Sequence, residues 1–292
     1  MTGQSATPVS KPGAVEGFLP ISALLSLKKL FTQGVFDDVH PAGLTIFIAV
    51  LAMSLIMRKG FCGYICPVGF IHNLLNKIGR RIGKTIRIRG KLEFALLIPK
   101  YIAMTFFVYT VFVKMGGREL EAFIRSPYNF TAEARMMMFF SNPSLTAALI
   151  IGALPVLGLF IPYFWCRFLC PYGALLGVIA KASPVAVKRD KESCINCGKC
   201  NKACPGGIEV DRKETVNSAE CIGCTQCINA CPVDGCITVT DRLSRIKLPW
   251  YVIAVGSVFI LLIYYLAAKI TNHWDSPYPL EMLRNYYMQL GQ

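Results

Sequence analysis

The chain has 292 residues, 54% of them hydrophobic and only 16% charged, with a formal net charge of +14 and a mean hydropathy of +0.47. Two soluble domains would fit that length, but the composition excludes them and points to a protein built into a membrane. Thirteen cysteines and a pI near 9.3 raise metal chemistry and nucleic-acid binding, and the positions of those residues decide between the two.

The first fifteen residues are polar and lack a basic start followed by an apolar stretch, so they do not read as a signal peptide. Phe18 to Phe36 sets Leu24, Leu25, Leu27, Leu30 and Phe31 around Lys28 and Lys29, which predicts an amphipathic helix on the outer membrane surface. A first span runs from about Ala42 to Met57 and ends at Cys62-Gly-Tyr-Ile-Cys66-Pro67. The densest basic run follows, from Lys77 to Lys91, without an acidic residue. Lying between two spans, it reads as contact with anionic headgroups and topology control, not as a nucleic-acid surface. A second span, about Leu92 to Val113, is interrupted by Lys100. Ser126-Pro127-Tyr128-Asn129-Phe130 reads as a turn. A third span, about Ser144 to Phe164, ends at Cys166-Arg-Phe-Leu-Cys170-Pro171, repeating the first motif with matching flanks. The i, i+4 spacing predicts both thiols of each pair on one helical face. Four thiols at one depth would suit a third metal or iron–sulfur centre; redox thiols or plain packing are the other readings.

Two cysteine runs come next, Cys194, Cys197, Cys200, Cys204-Pro205 and Cys221, Cys224, Cys227, Cys231-Pro232. Each reads C-x2-C-x2-C-x3-C-P, the bacterial ferredoxin run for a [4Fe–4S] cluster. In such pairs the fourth cysteine ligates the neighbouring cluster. Cys194, Cys197, Cys200 and Cys231 are therefore expected to hold one cluster, and Cys221, Cys224, Cys227 and Cys204 the other. Cys236 remains and reads as an apolar filler. A fourth span, about Leu248 to Ala268, follows.

Charge predicts orientation. The segments from Arg58 to Lys91 and from Trp165 to Lys247 carry 21 Lys/Arg against eight Asp/Glu, whereas the arm, the middle loop and the tail carry nine against eight. The positive-inside rule places the first group, with the ferredoxin module, in the cytoplasm and both termini outside. Thiolate ligation in a reducing compartment agrees. With only His40, His72 and His273, and no C-x-x-C-H, neither a helix-bound b-haem nor a c-type haem is expected. Quinone chemistry needs a titratable group at the membrane edge. The candidates are Asp37, Asp38 and His40 before the first span, His72 after the first C-x3-C-P, and Lys100, costly within a span unless it snorkels to the interface.

Spans ending in Phe61-Cys62-Gly63-Tyr64-Ile65-Cys66-Pro67 and Trp165-Cys166-Arg167-Phe168-Leu169-Cys170-Pro171-Tyr172-Gly173, ahead of a double ferredoxin run, resemble the NapH/MauN-type membrane ferredoxin family and the polyferredoxin half of the NosR regulators. The resemblance implies a four-helix protein passing electrons between the quinone pool and an iron–sulfur or haem partner. It also implies cluster ligation by the eight ferredoxin cysteines and matches the family's paired motif to Cys62, Cys66, Cys166 and Cys170. The last span follows the clusters here, and no flavin-attachment sequence is evident. The expectation is an α-helical membrane protein with about four transmembrane helices plus a small α+β two-cluster bacterial-ferredoxin domain. Residues 1–41 form an arm, 42–183 a membrane domain, 184–243 the ferredoxin domain, and 244–292 the last span and tail. Its expected role is an electron-transfer subunit of a quinol dehydrogenase-like complex in the inner membrane of a bacterium or archaeon, with partner subunits, the quinone pool and the lipid bilayer as its contacts. A redox-sensing, regulatory or maturation ferredoxin is the alternative.

Overall fold

A computed structural model describes residues 12–83 and 85–290. The polar opening stretch, up to residue 11, and Lys84 of the basic run lie outside the described residues. The chain divides into two compact units, one of Met1–Ala49, Thr105–Ile150 and Leu261–Gln292, the other of Val50–Met104 and Ile151–Ile260.

Among the described residues, two helices are long and apolar enough to cross a bilayer, Lys91–Lys114 with 24 residues and Val252–Ile270 with 19. Their outer faces carry exposed apolar ridges, Phe94, Ile98, Ile102 and Phe106 on one and Val255, Val258, Phe259, Leu262 and Leu266 on the other. Such surface is stable only under lipid or a partner. The expected third span is shorter than its sequence suggests. Leu145–Phe160 has 16 residues, about 24 Å of helix against a hydrocarbon core of about 30 Å. It counts as a span only together with Ala132–Ser141, from which it bends by 80°. The expected first span is the apolar helix Pro41–Met57, at 17 residues also short.

In the first unit, helix Pro20–Gln33 does not lie on a surface as expected; Ser22 through Lys29 are all buried. The reason is that both lysines find partners. Lys28 Nζ donates to the carbonyls of Val111 (2.9 Å), Phe112 (3.4 Å) and Met115, which lie at the widened π-helical turn Thr110–Lys114 that ends the long helix. Lys29 pairs with Glu121 at 3.1 Å. The expected turn after Ser126 is one turn of helix, Pro127–Phe130, with Ser126 Oγ accepting from Asn129 N–H at 3.2 Å.

The second unit holds a four-stranded antiparallel sheet of β1 (Val185–Arg189), β2 (Thr215–Val216), β3 (Ile237–Asp241) and β4 (Lys247–Leu248) in the order β2-β1-β3-β4. Val187 lies opposite both Val216 and Val239. Val187, Val210, Val216 and Ile237 form a core with Cys200, against which Cys194, Cys204, Cys221, Cys227 and Cys231 pack. This domain is seated through its backbone. Arg58 Nη2 donates to Ser218 O (3.0 Å), Lys59 Nζ to Ala219 O (3.2 Å), Tyr64 Oη to Gly223 O (3.1 Å) and Arg80 Nη2 to Ala203 O (2.6 Å). Arg87 donates to the carbonyls of Asn201 and Lys202. Part of the basic run expected to face headgroups is therefore spent on carbonyls of the ferredoxin domain.

Such seating requires close approach. A Cβ on Gly63 would stand 2.8 Å from Ile222 O, and one on Gly177 2.6 Å from Ala219 O. Gly63→Ala is expected to destabilise the solubilised protein by about 1–3 kcal/mol, as overpacking does. Gly152→Ala, where nothing lies within 4 Å, should leave the thermal midpoint unchanged or slightly raised.

Candidate functional site

The two ferredoxin loops have one backbone design. In the first, Asn196 (φ 54°) and Gly198 (φ 66°) are left-handed; in the second, Gly223 (φ 67°) and Thr225 (φ 55°) occupy the same offsets from the leading cysteine. Left-handed residues alternating with right-handed ones gather peptide N–H groups into an anion-accepting concavity, a geometry common at iron–sulfur sites. Short helices Lys199–Ala203 and Gln226–Asn229 then carry Cys200 and Cys227.

Each loop encloses a cavity. One is lined by Cys194, Cys197, Cys200 and Cys231, with Val233 and Ile237 beside them. The other is lined by Cys221, Cys224, Cys227 and Cys204, with Val187 and Ile208 among its apolar walls. The fourth cysteine of each run thus faces the cavity of the other. Burial pushes the Cys224 thiol up to about 12 and raises Cys204 and Cys227 as well. Cys194 moves the other way, held down by the backbone N–H of Asn196 and then by Arg189. Four soft sulfur donors gathered around each cavity suit a [4Fe–4S] cluster, which in the second cavity would compensate the thiolate form that burial disfavours. Cys236, expected to be a filler, is buried at the rim of the first cavity.

The paired C-x3-C-P motifs also share a geometry, though not the expected one. Phe61–Ile65 and Trp165–Leu169 are π-helical turns, closed by Cys66 N–H to Phe61 O (2.8 Å) and Cys170 N–H to Trp165 O (2.9 Å). Cys66 (ψ 122°) and Cys170 (ψ 108°) are extended. They do not share a helical face with Cys62 and Cys166, because a following proline disfavours the helical conformation. New helices begin at Pro67 and Pro171. Burial is the main influence raising Cys62 to about 12; Lys59 opposes it, and the neighbouring Cys66 and Cys170 add to it. Among the described residues, no three cysteines close their sulfurs to within 4.8 Å. A single tetrahedral ion needs sulfurs roughly 3.8 Å apart, so the four thiols are spaced more widely than that.

The family described as 4Fe-4S binding domain matches residues 39–85 and 144–190, one C-x3-C-P motif in each, and the 4Fe-4S dicluster domain matches residues 187–239. The chain is 34% identical over 99% of its length to YccM of Escherichia coli, whose name refers to electron transport, covering 82% of that protein. It is 30% identical to the methylamine utilization ferredoxin-type protein MauN of Methylorubrum extorquens, over 75% of this chain and 74% of that one. To the ferredoxin-type protein NapH of Escherichia coli it is 27% identical, over 62% and 59%. The chain belongs to the NapH/MauN-type membrane ferredoxin family. As a member of that family it is an iron–sulfur electron-transfer protein of the membrane. No solved structure matches it.

The remaining expected residues of this membrane ferredoxin are scattered. Lys100, fully buried, is bonded to both carboxylate oxygens of Glu220 at 2.7 and 2.8 Å, and Tyr101 Oη reaches the same carboxylate at 3.3 Å. Its ammonium is taken up by a carboxylate of the ferredoxin domain. Glu220, not singled out in the sequence, precedes Cys221 and lines the second cavity; that adjacency was its only signal. Asp37 caps its own turn, accepting from Ser26 Oγ (2.5 Å) and Val39 N–H (3.1 Å). Asp38 accepts from Tyr278 Oη (2.8 Å) and lies 3.8 Å from Lys29. His72 is buried against Tyr163, ring centroids 6.0 Å apart, and burial holds its pKa below the usual histidine value. His40 lies beside Glu16 and Glu133.

Lys100→Met leaves the Glu220 carboxylate, 11% exposed, without its cation. The expected loss is about 3 kcal/mol, read as a lower thermal midpoint with earlier loss of cluster absorbance. Lys100→Met combined with Glu220→Gln should recover more than half of it.

Proposed function

We propose that this membrane ferredoxin relays electrons between the quinone pool and a redox partner in a respiratory complex. The two cysteine-lined cavities with exchanged fourth cysteines carry the reading. Cys194, Cys197, Cys200 and Cys231 would hold one [4Fe–4S] cluster; Cys221, Cys224, Cys227 and Cys204 would hold the other. Bound there, the clusters supply reversible one-electron transfer. The chain's own contribution is to exclude water with Val187, Ile208 and Val210, to present loop N–H groups, and to fix the sulfurs through the core behind them. The charge asymmetry of the loops supports four spans in a bacterial or archaeal cytoplasmic membrane, the ferredoxin domain inside and both termini outside.

Cys62, Cys66, Cys166 and Cys170 are proposed to hold a third centre, supported by the electrostatic influence of their sulfurs on one another, by the matching turns and by Lys59 near Cys62. Of the residues considered for quinone, His72 is the one with an aromatic neighbour and a neutral ring; Asp37, Asp38 and Lys100 are engaged in internal bonds.

Anaerobic purification with iron and sulfide counting, followed by low-temperature EPR during quinol titration, tests both proposals. About eight irons per chain are expected for the ferredoxin pair and about twelve if the paired motifs also hold a cubane. Replacing Cys62, Cys66, Cys166 and Cys170 together by alanine should remove only the excess. A colourless, iron-free protein would end the proposal. His72→Asn should slow cluster reduction by quinol at least tenfold without changing the iron count; unchanged kinetics would remove His72 from the quinone site.

A further inference from the structure

The first unit contains a buried constellation that the electron-transfer reading does not use. Glu16 comes from the short turn Gly13–Phe18, His40 directly precedes helix Pro41–Met57, and Glu133 lies in the first turn of Ala132–Ser141. They are 2%, 1% and 3% exposed. His40 Nδ1 is 3.5 Å from Glu16 Oε1 and 3.8 Å from Glu133 Oε1. One ligand atom from each residue falls within 4.8 Å of the other two.

The other ring nitrogen sets the chemistry. His40 Nε2 is 2.8 Å from the carbonyl oxygen of Asn129. A carbonyl only accepts, so Nε2 carries the proton and, in the neutral ring, Nδ1 presents a lone pair toward the two carboxylates. Histidines that ligate metals are oriented in this way, donating the distal N–H to a carbonyl or carboxylate. Glu16 is oriented as well, its Oε2 accepting from Gly43 N–H at 2.9 Å. A nitrogen and two oxygens, fixed from behind, converge where water is excluded. Three donors so placed are a ligand set that a single ion takes up.

We propose that Glu16, His40 and Glu133 bind one divalent first-row transition ion of the zinc, manganese or ferrous class. One imidazole with two carboxylates is a borderline-to-hard donor set suited to these ions. Ligands about 2.1 Å from a shared ion stand roughly 3.0–3.4 Å apart, so the trio, whose ligand atoms lie within 4.8 Å of one another, closes on an ion by side-chain movements of up to about 1.5 Å. Three protein ligands leave a position for water. The ion joins three segments far apart in the sequence, and the site is independent of the ferredoxin clusters and of the quinone reading.

The test uses the full chain, purified anaerobically in detergent, washed with EDTA and equilibrated with Zn2+ or Mn2+. One ion per chain beyond the cluster iron is expected. Glu16→Gln combined with Glu133→Gln should weaken binding at least a hundredfold with iron and sulfide counts unchanged. If wild type binds no such ion, and the trio holds only a proton, the proposal fails; it fails equally if the variant binds as well as wild type. Should the variant not accumulate, pulsed EPR of Mn2+-loaded wild type decides: coupling to one imidazole nitrogen is expected, and its absence overturns the assignment.

Discussion

Cationic side chains donating into the backbone carbonyls of the cysteine loops are the interaction on which the second unit depends. Arg58, Lys59, Arg80 and Arg87 each do so, and Lys100 makes the equivalent contact through the carboxylate of Glu220. A hydrogen bond to a charged group contributes about 1.5–3 kcal/mol, more than a neutral one. These bonds also act where stabilisation is scarce. The cysteine loops contain little regular structure, and four of their residues other than proline are left-handed.

The same segments explain why proline recurs. Pro67 and Pro171 force the cysteine before them to be extended and open a new helix without wasting a donor. The chain thereby turns at each C-x3-C-P motif while keeping a π-helical hydrogen bond across the cysteines. Helix, widened turn, extended cysteine and proline-started helix occur twice with nearly the same backbone angles. A turn stored in covalent geometry does not depend on what the thiols bind.

Much of this was legible in the sequence. The eight ferredoxin cysteines could be sorted into two sets because their spacing is a property of the loop alone, and the repeat of C-x3-C-P was visible in the flanking residues. What was hidden was tertiary. Lys100 and Glu220 are 120 positions apart, and nothing local marks either as the other's partner. The run from Lys77 looked like a headgroup surface because its count of positive charges is the same whether the acceptors are phosphates or carbonyls. Lys28 and Lys29 argued for a surface helix; their burial follows from carbonyls at Val111 and Met115 and from Glu121, none of which periodicity reveals. The Glu16, His40 and Glu133 constellation draws on three segments, and only His40 attracted notice.

Charge, finally, explains why the cradle is built from lysine and arginine. Serine or asparagine could donate to the same carbonyls and hold the same loops. They would add no positive charge beside sulfurs such as Cys62 and Cys224, which burial, the largest influence on each, helps raise to about 12. Lys59 and Lys100 lower Cys62, and Arg167 lowers Cys204. Because each cation is anchored, Lys59 to Ala219 O, Lys100 to Glu220 and Arg167 to Glu93, none can swing out to solvent when the site changes charge. A fixed positive field favours thiolate over thiol during assembly and then favours the electron-rich state once iron is bound. The side chains that hold the domain in place therefore also set the electrostatic conditions under which its sulfurs can work.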